Sequence, residues 1–120
     1  MRRTRLFVSL VLGLVLALVI GGSALASSAS ITVPPGSRVC LNQQYASYYA
    51  DAQGTASGNV AQFTVQYGST NIYQTTNNAT AFHATFSTSY GNFPGPGYYR
   101  VCARNNGTTG INVWMSLDTR

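Results

Sequence analysis

In the strand read at residues 60–67, apolar and polar side chains alternate without a break from residue 61 onward. Ala61, Phe63, Val65 and Tyr67 line one face, and Gln62, Thr64 and Gln66 the other. A period of two marks a half-buried strand. The pattern returns at 79–87, with Phe82, Ala84 and Phe86 inward and His83 and Thr85 outward. It returns again at 37–42, where Val39 and Leu41 oppose Arg38, Cys40 and Asn42, and at 98–105 and 111–117. Residues 70–75 read as a hairpin partner across Gly68-Ser69, and 31–33 as a short first strand stopped by Pro34-Pro35-Gly36. Residues 43–50 read as extended, 51–59 and 89–97 as loops by composition, and 27–30 as a mobile polar lead-in. Several short strands at this spacing predict an all-β fold, a small antiparallel β-sandwich of jelly-roll or immunoglobulin-like type.

The segment before these strands follows different rules. Met-Arg-Arg-Thr-Arg is a basic start, residues 6–20 are apolar apart from Ser9 and Gly13, and Ala24-Leu25-Ala26 supplies an A-x-A site. These are the parts of a secretory signal in order. A membrane-spanning helix needs about 20 apolar residues, so cleavage after Ala26 is expected rather than an anchor. The expected organisation is a signal peptide at 1–26 and one domain at 27–120, secreted and extracellular. No Cys follows the cleavage site, which argues against a lipid anchor.

Charge changes meaning once the signal is removed. Residues 27–120 keep four arginines (Arg38, Arg100, Arg104, Arg120) and two aspartates (Asp51, Asp118), with no Lys and no Glu. No basic stripe is legible in the chain, so nucleic-acid binding is not expected. With so few carboxylates and a single histidine, paired-acid glycosidase chemistry and metal sites lack their groups. Neither a cofactor nor a metal is expected.

Cys40 and Cys102 are the only cysteines, and an exported pair is expected to be oxidised. Their strand neighbours on the cysteine face are polar: Arg38 and Asn42 beside one, Arg100 and Arg104 beside the other. Val39, Leu41, Tyr99, Val101 and Ala103 occupy the opposite face. The disulfide is therefore expected on the outside, between neighbours in one sheet or at a sheet edge.

The stretch Pro94-Gly95-Pro96-Gly97-Tyr98-Tyr99-Arg100-Val101-Cys102-Ala103-Arg104-Asn105-Asn106-Gly107, followed by a last strand, resembles the final hairpin of bacterial pre-peptidase C-terminal and related jelly-roll domains. Val33-Pro34-Pro35-Gly36-Ser37 is similar to the early Pro-Gly turn of such domains. The resemblance implies an extracellular accessory or binding module. The acidic residues often seen in that family are missing, so no calcium site is carried over.

Candidate chemistry is sparse. His83 could join Asp51 or Asp118 and a serine, but no Gly-x-Ser-x-Gly elbow occurs, and a surface histidine on a strand is the simpler reading. Trp114 shares a face with Asn112 and Ser116, opposite Ile111, Val113, Met115 and Leu117, which predicts partial exposure. Packing under a loop is the plainer alternative. Aromatic rings on a sheet face can stack on sugars while amides bond their hydroxyls. The candidate binding residues are Trp114, Tyr48, Tyr49, Tyr73 and Asn112. The expected function is a non-enzymatic binding or adhesive module for extracellular or cell-wall polymer. A secreted inhibitor or toxin-like effector presenting the Phe93–Gly97 loop to another secreted protein is the alternative. No contact with membrane is expected after cleavage.

Overall fold

The structure, a computed structural model, describes residues 25–120. The signal expectation falls mainly outside them. Nine strands follow in order: β1 (Leu25–Val33), β2 (Arg38–Cys40), β3 (Gln44–Ala46), β4 (Tyr49–Ala56), β5 (Ala61–Tyr67), β6 (Thr70–Gln74), β7 (Ala81–Ser87), β8 (Gly97–Asn105) and β9 (Ile111–Thr119). They form two antiparallel sheets, a first in the order β1-β9-β4-β7 and a second in the order β2-β8-β5-β6, with β3 also paired to β8. Because β2 and β3 lie end to end along β8, this is an eight-stranded jelly roll with one interrupted strand.

The alternation read from sequence decides which side chains meet between the sheets. Phe63, Val65, Tyr99, Val101, Val113, Met115 and Leu117 are fully or almost fully buried there. Two expectations need correction. Residues 51–59 are mostly strand, since β4 runs to Ala56 as an inner strand of the first sheet. Its inward positions are Ala50, Ala52 and Gly54, small because Phe63 and Phe82 from the strands around it fill the space. The small side chains look like a loop in composition, although their spacing is that of a strand. The polar lead-in 27–30 is likewise strand, paired residue by residue with β9 from Ser27↔Leu117 to Ser30↔Trp114. Its serines are tolerated because backbone pairing, not side-chain burial, holds them.

Asn105, fully buried, joins the two turns on which the family resemblance rests. Its Nδ2 donates to Val33 O at 2.9 Å and Thr109 O at 2.8 Å, and its carbonyl accepts from Gly36 N at 2.8 Å. The Cys40–Cys102 disulfide links direct register partners on β2 and β8, with β2 at the sheet edge, as the face argument expects.

The 93–97 loop is tied to the sandwich by two phenols. Tyr67 donates to Pro96 O at 2.9 Å and Tyr99 to Gly95 O at 2.6 Å. Gly97 has φ +156°, and a Cβ there would lie 2.7 Å from the Tyr67 ring. Burial pushes the Tyr99 phenol up to about 12. An acid whose folded pKa is raised contributes stability below its unfolded value, near 10, and loses it as pH climbs through 12. Two units correspond to about 2–3 kcal/mol. The melting temperature is therefore expected to fall between pH 10 and 12, and less steeply in Tyr99→Phe. Identical slopes in an alkaline melting series would contradict this.

Candidate functional site

The outer face of the first sheet carries the best-formed candidate. Strand register sets its side chains in rows. Ser30, Trp114 and Thr55 form one row, Ser28, Ser116, Gln53 and His83 the next, and Ala26, Asp118, Asp51 and Thr85 the third. Trp114 is thus the one large side chain among serines and a threonine, and it is 36% exposed. The indole borders an open hollow of about 360 Å³, shared with Ser28, Gln53, Ser116 and Asp118. Parity along β9 places it outward, as the sequence predicts.

Asn112 stands two residues away on the same face, its Oδ1 accepting from Thr32 Oγ1 at 2.9 Å. The other three candidates are not gathered with Trp114. Tyr49 faces the same way but lies six residues from Thr55 along β4, about 20 Å at strand spacing. The Arg120 guanidinium sits 4.9 Å over its ring, and burial and the Asp51 carboxylate push its phenol up. Tyr48 is exposed at that end, where its amide bonds Arg120 O. Tyr73 belongs to the second sheet and stacks on Phe82 at 5.8 Å, closing the edge of the sandwich.

A polar cluster that the loop assignment hid lies beyond Gln53. Asp51 accepts from Thr85 Oγ1 at 2.6 Å and from Gln53 Nε2 at 3.2 Å, and pairs with His83 Nε2 at 2.7 Å. The carboxylate is buried while the histidine side chain is 58% exposed. Alternation of Asp51, Gln53 and Thr55 against Ala50, Ala52 and Gly54 was the signal that could have found it. Among the described residues His83 is paired with Asp51, and no serine hydroxyl bonds it. Its multiple partners hold the carboxylate still, and Asp51 and Asp118 make this end of the face acidic.

No family model matches the chain, and no curated protein does. Solved structures do. The pre-peptidase C-terminal domain of a collagenase from Bacillus anthracis superposes with a TM-score of 0.59 at 11% identity, over 78% of this chain and 89% of that one. This chain has that domain's fold. The disulfide-linked pili of Bacillus endospore appendages also match, with a TM-score of 0.50 at 7% identity over 81% of this chain and 88% of theirs. At such identities the likeness is one of fold alone, and it extends the resemblance read from the two turns to most of the sandwich.

Proposed function

We propose that this chain is an exported, non-catalytic module that holds an uncharged polysaccharide on the outer face of its first sheet. The observation that carries the reading is Trp114, a partly exposed indole among small hydroxyl side chains beside an open hollow on the outer face of the sheet. An indole so placed offers a stacking surface, and Asn112, Gln53, Ser28 and Ser116 offer donors and acceptors for sugar hydroxyls. Asp118 and Asp51 at one end disfavour an anionic chain. Export fits the same account. Cleavage after Ala26 makes Ser27 the first residue, and Gln44 Nε2 already bonds Ser27 Oγ at 2.6 Å and Leu117 O at 2.8 Å, anchoring the new end of β1.

The inhibitor reading stands second. The Phe93 ring is stacked on Tyr99 at 5.6 Å, so the loop keeps its largest side chain for its own anchorage and presents prolines. Trp114→Ala tests the first reading. Retention on insoluble neutral glycan is expected to fall about tenfold, roughly 1.4 kcal/mol, with the melting temperature nearly unchanged. Removing a core tryptophan instead costs about 3–5 kcal/mol. Unchanged retention with a collapsed melting temperature would overturn the proposal.

A further inference from the structure

The opposite side of the sandwich has the reverse charge. Alternation along β8 sends Tyr98, Arg100, Cys102 and Arg104 to the outer face of the second sheet, and Arg38 on β2 lies directly across from Arg104. Neither aspartate is on this sheet, since Asp51 and Asp118 belong to β4 and β9. Among the described residues the one ion pair is His83–Asp51, so none of these three guanidiniums has a carboxylate partner. Like charges directly opposed on neighbouring strands destabilise a sheet. The covalent bridge two residues along fixes Arg38 and Arg104 in that opposition.

The rest of the face is prepared for a polymer with hydroxyls. Arg100 is preset, its Nε and Nη2 donating to Gln66 Oε1 at 3.1 and 2.7 Å. Gln66 is in turn held by its own Nε2 donating to Asn71 Oδ1 at 2.9 Å. Arg38 and Arg104 border an open hollow of about 340 Å³ whose other walls are amides and a hydroxyl, including Gln62, Thr64 and Gln74. Side-chain amides donate and accept at once, which suits sugar hydroxyls. At the far end Tyr45 and Tyr98, both well exposed, pack edge to face at 5.4 Å. From Tyr98 to Arg104 is six residues of strand, about 20 Å, long enough for an extended chain rather than a single ion.

We infer that the outer face of the second sheet is a separate site for an acidic polysaccharide, whose carboxylates sit between Arg38 and Arg104 and at Arg100. The guanidinium fork matches a carboxylate in shape as well as charge. The site is independent of Trp114, which lies on the other sheet.

The test uses the secreted protein on immobilised polygalacturonate and on the same polymer fully methyl-esterified, which keeps the sugar and removes the charge. Trp114→Ala protein, whose first-sheet face can no longer retain the uncharged ester, is expected to bind the acidic form at least tenfold more tightly, and to lose most of that binding at 0.5 M salt. The double variant Arg38→Gln/Arg104→Gln is expected to lose about tenfold on polygalacturonate, while Trp114→Ala loses nothing there. Both arginines are exposed, so the double variant keeps or gains melting temperature as their repulsion is relieved. Equal binding of Trp114→Ala to the acidic and esterified polymers would overturn the proposal, as would undiminished binding to polygalacturonate by the double variant. Single-stranded DNA displacing the protein at lower charge concentration than free polygalacturonate would also overturn it, in favour of a nucleic-acid surface.

Discussion

Reducing the Cys40–Cys102 bridge is expected to lower stability by about 4 kcal/mol and the melting temperature by roughly 15–30 °C. The bond closes a separation of 62 residues, and the chain entropy it removes from the unfolded state grows with that length. It also does something local. β2 is a three-residue strand at the edge of its sheet, with Arg38 facing Arg104. Three residues of pairing offer little resistance to fraying when a like-charge pair pushes the strands apart. Val39 packs against the core and Leu41 is buried, so fraying of β2 uncovers the sandwich at that edge. Amide exchange in the reduced protein should therefore rise first at the Leu41 N–H, which bonds Val101 O at 2.9 Å. A melting temperature within a few degrees of the oxidised protein's would show that the bridge is dispensable, and uniform loss of protection without early opening of β2 would show that it does not hold β2 in particular.

Gly54→Val is expected to cost about 3 kcal/mol or more, at the upper end of what overpacking a core costs. A Cβ at this position would lie 2.7 Å from Phe63 Cε1 and 2.8 Å from Phe82 Cε1. Those rings are themselves in contact, with centroids 4.8 Å apart, and Phe63 is fully buried with nowhere to move. Strand propensity acts the other way, since valine suits a strand better than glycine, but that scale spans only about 1 kcal/mol. Steric conflict wins. Phe82 is nearer the edge and can yield, so Phe82→Leu combined with Gly54→Val should lose clearly less than the two single changes together. Denaturant unfolding of the four proteins measures this, and strict additivity would mean that Gly54 is not held by those rings.

Gly54 also shows what the sequence could and could not disclose. Strands whose inward residues are large, such as β5 with Phe63 and Val65, were plain from their alternation. β4 was hidden because its inward residues are small, and their size follows from which rings the fold sends there from β5 and β7. The side on which the disulfide lies was legible because Arg38, Arg100 and Arg104 flank the cysteines in strict alternation. The expected disulfide between sheet neighbours already implied that these arginines share a face, but that Arg38 stands directly opposite Arg104 needed the β2–β8 register. Trp114 could be placed on the outer face by parity. Its separation from Tyr73, and its distance from Tyr49, depend on which strands are neighbours. The pairing of Asp51 with His83 likewise needed the β4–β7 register.

Trp114 is the only tryptophan in the chain, so emission excited at wavelengths the eight tyrosines do not absorb reports on the proposed polysaccharide site. The decisive measurement is a fluorescence titration of the purified protein with soluble neutral polysaccharides: hydroxyethyl cellulose, xyloglucan, galactomannan and chitin oligosaccharides. Stacking of a sugar on a half-exposed indole is expected to shift emission to the blue, saturably, and to protect it from acrylamide quenching, with at least one of the four. Little change should follow from added salt, since the contacts are uncharged. Emission unchanged across all four polymers, from protein whose melting curve shows it folded, would contradict the assignment of this face.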